Sequence, residues 1–131
     1  MKIDALYSSL TVVAQEWETL SDVANRMRFN DVGSAAVLRE GKVAGIITER
    51  DLTRALADGT DPEIATVVDY MTPDPQVVTR ETNAKEAARM MTDMGIRHLP
   101  VVEGDELVGL VSARDILIEL IWTTNDDGEA S

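Results

Sequence analysis

The chain has 131 residues, enough to bury roughly two-thirds of its unfolded surface, and its 44% apolar and 27% charged residues suit a globular protein rather than a disordered one. It has no cysteine, which excludes disulfides, thiolate nucleophiles and cysteine-type zinc sites, and its formal charge of −12 opposes broad attraction to nucleic acid or to an anionic membrane. No apolar run approaches the ~20 residues that span a bilayer, and Asp4 interrupts any signal-like stretch, so a cytoplasmic protein is expected.

In chain order, an extended stretch from Leu10 to Ala14 precedes a capping Thr19. Leu20, Val23, Ala24 and Met27 then recur at i, i+3, i+4 and i+7, the spacing of one helical face. Two short β-branched runs, Ser34 to Leu38 and Val43 to Ile47, flank Arg-Glu-Gly-Lys and read as a hairpin. A second helix opens at Thr48 and carries Leu52, Ala55 and Leu56. The stretch from Ala57 to Pro75, punctuated by Gly59, Pro62, Pro73 and Pro75, reads as a linker.

The same order then returns. An extended Gln76 to Thr79 leads to Asn83, which with Glu86 is close to a capping box. Ala84, Ala87, Ala88 and Met91 form the helical face, and Gly95 is suited to the left-handed helix end. His98 to Val102 and Leu107 to Val111 form the hairpin, and Ser112 opens a helix with Ile116, Leu117, Leu120 and Ile121. A shift of 64 residues aligns 11–56 with 75–120 without a gap; it superposes Val13, Ala24, Met27, Val37, Gly45, Arg50, Asp51 and Leu56 on identical residues.

Two β-α-β-β-α copies, each with G-h-h-[ST]-x-x-D opening its last helix (Gly45 to Asp51, Gly109 to Asp115), resemble a tandem pair of CBS domains, or Bateman module. Asp69-Tyr-Met-Thr-Pro73 is similar to the family's D-x-M-T-P segment, and Gly95-Ile-Arg-His-Leu-Pro-Val101 to its G-x-x-x-L-P-V strand. The resemblance implies an α+β fold in which two repeats pack as an intramolecular pseudo-twofold pair. The expected boundaries are 3–60 and 76–122 for the repeats, 61–75 for the linker and lead-in, and 123–131 for a polar, disordered tail.

A hydroxyl followed three residues later by an aspartate, at a strand-to-helix junction, has a complete local explanation. The hydroxyl caps the helix and the carboxylate favours its first turn. The resemblance supplies a second reading. It implies Asp51 and Asp115 as ribose holders, with Thr48 and Ser112 as hydroxyl partners to ribose or phosphate, and Ile46, Ile47, Leu110 and Val111 as walls for an adenine. A carboxylate would repel a phosphate in that turn but accepts two ribose hydroxyls. Arg97 is the first phosphate candidate, then His98, with Arg50 and Arg114 behind them. Because Gly33 and Ser34 stand where the second copy has Arg97 and His98, one cleft is expected to bind more tightly.

With one histidine and no nucleotide-loop, zinc-protease or triad pattern, catalysis is not expected. The expected function is a stand-alone sensor. It binds an adenine nucleotide or adenosyl compound (AMP, ADP, ATP, S-adenosylmethionine or NAD) in the cleft between repeats, with or without magnesium and with no required cofactor. It acts on a separate effector protein, with no nucleic-acid or membrane partner. Trp122, Ile118 and Ile121 on the last helix suit a homodimer contact. The competing reading is a constitutive dimeric interaction module in which the repeated segment only caps helices.

Overall fold

The computed structural model describes residues 2–3 and 12–127 and, within the last helix, side chains as far as Ile121. Leu10 and the Trp122 side chain therefore lie outside the described residues. The chain divides into two compact units: Leu10–Pro75, and Gln76–Ser131 together with Met1–Ser9.

In the first unit, β1 (Val12–Gln15), α1 (Leu20–Phe29), β2 (Ser34–Arg39), β3 (Lys42–Thr48) and α2 (Glu49–Ala57) are followed by a 3₁₀ turn, Val67–Asp69, and a short β4 (Thr72–Pro73). The sheet order is β1-β2-β3-β4; β1 runs parallel to β2 and the other pairs are antiparallel. Thr19 caps α1 by accepting the Asp22 amide. One face of α1 buries Leu20, Val23 and Met27 against Ala14, Val37 and Ile47. The hairpin turns through Glu40 and Gly41, both at positive φ, where glycine is unstrained.

The second unit holds α3 (Ala84–Met94), β5 (His98–Glu103), β6 (Glu106–Ser112) and α4 (Ala113–Asp127). β5 and β6 begin and end 64 residues after β2 and β3, and the bulge between Val37 and Leu38 returns between Val101 and Val102. Its core obeys the same shift: Ala87, Met91, Val101 and Val111 replace Val23, Met27, Val37 and Ile47. Gly95 ends α3 in the left-handed conformation with φ 65°. No helix among the described residues is long and apolar enough to cross a membrane.

Three expectations change. The extended stretch 76–79 is reduced to a single parallel bridge, Val78 to Val101, the counterpart of Ala14 beside Val37. Asn83 caps α3 through the Lys85 amide at 2.8 Å, and Glu86 closes no capping box. The polar stretch from residue 123, read as a disordered tail, is helical as far as Asp127, because α4 continues past the last apolar turn.

The segments that precede each repeat also dock differently from a linker. Val67 is fully buried in the first core; its amide donates to the Glu18 carbonyl, and Thr66 bridges Thr19. Sixty-four residues earlier, Ile3 is fully buried in the second core; its amide donates to the Thr82 carbonyl, and Lys2 bridges Asn83. Residue 3 therefore belongs with the second repeat, and segment 61–75 with the first. Ala65, Val67, Tyr70 and Met71 are its anchors, and Pro73 belongs to β4.

The first unit has a polar brace of which the second, among the described residues, keeps only one bond, from Thr79 N to Thr82 Oγ1 at 3.0 Å. Arg26 on α1 donates to both carboxylate oxygens of Glu18 (2.8 and 3.0 Å) and to the Val13 carbonyl at 2.9 Å, while Gln15 N donates to Glu18 at 2.8 Å. The aligned residues are Thr82 and Met90. The bonds from Arg26 hold the Glu18 carboxyl below its ordinary pKa of 4.5, against the opposing effect of burial. The stabilisation is thus fully present above pH 4.5 and is lost as pH falls through the lower folded value. Glu18→Gln is expected to cost about 1–2 kcal/mol at pH 7 and much less in strong acid, read by urea unfolding at both pH values.

Candidate functional site

At the first junction the chain leaves β3 at Thr48, extended with φ −126° and ψ 168°, and enters α2 at Glu49. The Asp51 amide donates to Thr48 Oγ1 at 3.4 Å, and the Thr48 amide donates to Asp51 Oδ2 at 2.9 Å, closing a capping box. Thr48 Oγ1 also donates to Oδ2 at 3.1 Å. The other carboxylate oxygen, Oδ1, faces Arg54 Nη2 at 3.4 Å. Asp51 is only 5% exposed, and both its oxygens are engaged within the chain.

At the second junction Ser112 Oγ accepts the Asp115 amide at 3.1 Å, as a cap should. The Asp115 carboxylate, however, makes no hydrogen bond or ion pair among the described residues, and it is partly exposed. One sequence difference accounts for the missing ion pair: Ile118 stands where the first repeat has Arg54. The pair Asp51 and Arg54 has ordinary i, i+3 helical spacing and is legible in the sequence once position 54 is compared with position 118.

Both helix N-termini are already partly satisfied. Glu49 N donates to the Gly33 carbonyl at 3.1 Å, and Ala113 N donates to the Arg97 carbonyl at 2.8 Å. With the third amide of each helix taken by the capping hydroxyl, neither end is an open phosphate cradle. A neutral, hydroxyl-rich group beside the free carboxylate suits the second junction better.

The second junction gathers most of its expected residues. His98 is the register partner of Ser112 across β5 and β6, as Ser34 is of Thr48 in the first copy. His98 is partly buried and holds an interaction of its own; Arg114 and Arg97 are exposed. Arg97 also lines a groove between α3 and α4. Its first-repeat counterpart is Gly33, where a Cβ would meet the Glu49 carboxylate at 3.2 Å. The first junction thus has two acids, Glu49 and Asp51, against exposed Arg50. The second has Arg97 and Arg114 against Asp115 alone, with Ala113 in place of Glu49.

Of the four apolar candidates, Ile47 and Val111 belong to the two cores and are withdrawn from any ligand wall. Ile46 and Leu110 are buried but lie on the opposite face of their strands, in register with Ala36 and Pro100. Among the described residues no group of three acidic, histidine or cysteine side chains is placed to hold a metal ion.

Sequence and structure comparisons agree on the family. The CBS domain matches twice, over residues 8–58 and 67–121. An uncharacterized 17.7 kDa protein from Acidianus ambivalens is 34% identical over 122 residues, 92% of this chain and 73% of that one. Of two other curated relatives, each 36% identical, the chain spans about half the length, 53% and 52%. A protein with CBS domains from Burkholderia ambifaria superposes with a TM-score of 0.82 at 27% identity, covering 91% of this chain and 86% of that one. The CBS domain pair of protein MJ0100, solved with 5′-methylthioadenosine and S-adenosyl-L-methionine, superposes with a TM-score of 0.86 over 94% of this chain and 98% of that one; at 22% identity it speaks for the fold. With two matched domains covering most of its length and a 64-residue repeat in strands, bulges and cores, the chain belongs to the CBS domain family as a tandem pair.

Proposed function

We propose that the chain is a regulatory module that binds one adenosyl compound at the strand-to-helix junction of its second repeat. The Asp115 carboxylate accepts the ribose hydroxyls, Ser112 supplies the neighbouring hydroxyl, and Leu110 offers the apolar edge to adenine. Phosphates, where the ligand carries them, meet His98, Arg114 and Arg97, with or without magnesium. The observation that carries this reading is the contrast between the two aspartates: Asp51 is closed by its own cap and by Arg54, whereas the Asp115 carboxylate has no partner among the described residues. The adenosyl ligands of the MJ0100 domain pair support the ligand class. The first junction, Thr48 and Asp51 with exposed Arg50, acts as a structural cap.

Regulation follows from linkage: a ligand shifts an equilibrium between two states only by its differential affinity for them. The module acts in the cytoplasm on a separate protein rather than by catalysis, and it pairs with a second copy through Ile118 and Ile121, which are exposed on α4. Unfolding with AMP, ADP, ATP, S-adenosylmethionine, NAD and GTP at millimolar concentration tests the ligand. A compound at one hundred times its Kd adds ~2.7 kcal/mol and raises the midpoint on the order of 10 °C. One adenosyl site per chain and a sedimentation mass of two chains are the expected results. No shift with any compound, or two equal sites per chain, defeats the proposal.

A further inference from the structure

Trp17 and Ile64, both in the first unit, are 72% and 76% exposed. The backbone brings them onto one ribbon, in which segment 62–68 runs antiparallel to 16–21. Thr66 bridges Thr19; Val67 N donates to the Glu18 carbonyl at 2.9 Å, Leu20 N to the Ala65 carbonyl at 3.0 Å and Ser21 N to the Pro62 carbonyl at 2.9 Å. Leu20, Ala65 and Val67 pack on the first core, so by alternation Trp17, Ile64 and Val68 share the outer face. Val68 N donates to the Glu16 carbonyl at 3.3 Å, which sets its exposed side chain beside Trp17.

Both edges of this apolar face are acidic. The sequence has no lysine or arginine from residue 3 to 25 or from 55 to 79. Arg26 and Arg39 reach the ribbon from elsewhere in the first unit, and each is already paired there, with Glu18 and Glu16 at 2.8 Å. Asp22, Glu63 and Asp69 are exposed and form no ion pair among the described residues. The second repeat builds the aligned place differently. Glu81 stands for Trp17 and pairs with Lys2 at 2.5 Å, and Asp4 stands for Val68. The apolar face is therefore a property of the first copy alone, not of the repeat.

An exposed indole between unpaired carboxylates has a definite complement. A guanidinium stacks on the ring face, its aliphatic stem covers Val68 or Ile64, and its charge answers the carboxylates. The acidic rim repels an anionic lipid surface or a nucleic acid. It also opposes a second copy: a twofold contact would set this face against itself, acid against acid. We infer that the ribbon of Trp17, Ile64 and Val68 docks a basic segment of a separate protein, with an arginine of that segment on Trp17 and its other cations facing Glu63 and Asp69. This surface does not depend on the adenosyl reading of the second junction.

Calorimetric titration of the full chain with three short blocked peptides tests the docking. The peptides alternate leucine with arginine, with citrulline or with glutamate. The arginine peptide is expected to bind once per chain, and the other two at least about tenfold more weakly. Trp17→Glu supplies the decisive contrast, because it installs the residue of the second repeat and adds a negative charge. Attraction by charge alone would tighten; docking on the indole weakens about tenfold. Glu63→Gln combined with Asp69→Asn keeps the acceptors of Ser21 and Thr66 and is expected to weaken binding several-fold. Asp115→Ala leaves peptide binding unchanged, so this surface and the adenosyl site fail separately. The inference is overturned by no uptake of the arginine peptide, by equal affinity for the citrulline peptide, or by unchanged or tighter binding in Trp17→Glu. Self-association abolished by Trp17→Glu, without peptide uptake, assigns the face to a second copy and equally overturns it.

Discussion

Asp115→Ala is expected to leave the unfolding midpoint of the free protein within about 2 °C of the parent and to abolish the rise produced by an adenosyl ligand, while Asp51→Ala does the reverse. The bond that caps α4 uses the Asp115 backbone amide, which alanine retains, so only a favourable first-turn charge worth a few tenths of a kcal/mol is lost. The carboxylate itself has no partner to forfeit among the described residues. Asp51→Ala instead leaves the Thr48 amide without its acceptor and removes the facing charge from Arg54. Loss of the capping box costs about 1–2 kcal/mol, on the order of 5 °C for a chain of this size. If ligand binding is lost in Asp51→Ala and survives in Asp115→Ala, the occupied junction is the first, and a ligand displaces Arg54. If the midpoint falls equally in both variants and no ligand acts on the parent, both aspartates are caps alone.

How far the sequence reveals this arrangement depends on which interactions are local. The 64-residue shift, the helical faces, the hairpins and Gly95 as the end of α3 are legible, because each follows from spacing within one segment. The caps at Thr48 and Ser112 are legible for the same reason. That one carboxylate is closed and the other open is not evident from the motif, which is identical at Arg50-Asp51 and Arg114-Asp115; it depends on Arg54 and Ile118, outside the repeated pattern. Alternation along a strand leaves open which of Ile46 and Ile47 faces the core, and only the packing of α1 on β2 and β3 assigns Ile47 to it. Segment 61–75 misleads because Pro62, Pro73 and Pro75 punctuate it and Gly59 stands just before it, whereas Val67 and Met71 determine where it docks. Ile3, isolated by sequence from the repeat it completes, gives no local signal at all.

Gly45→Ala is expected to be the most damaging single-methyl addition in the first unit, at about 3 kcal/mol and on the order of 10 °C. Gly45 sits buried in β3 opposite Pro73 of β4. A Cβ there would lie 2.8 Å from the Thr72 carbonyl oxygen and closer still to the Met71 sulfur. The methionine side chain has freedom to turn aside, but the carbonyl belongs to a paired strand and moves only with its backbone. Relief therefore requires β4 to withdraw from β3. That withdrawal breaks the bond from Asp74 N to the Ala44 carbonyl at 3.0 Å and draws Met71 off the first core. Pro73 tolerates its place because β4 is an edge strand, where its missing N–H breaks no ladder bond. Gly41→Ala is the control: nothing lies within 4 Å of its Cβ position, so its cost is the strain of φ +80° alone, about 1 kcal/mol, and Gly41→Asn recovers part of it. Urea unfolding of the three variants separates size from backbone conformation. A Gly45→Ala midpoint equal to that of Gly41→Ala would mean that Asp69 to Pro73 does not clamp the first sheet. A much larger loss assigns the D-x-M-T-P segment its physical role, which is to seal the open edge of the repeat that precedes it.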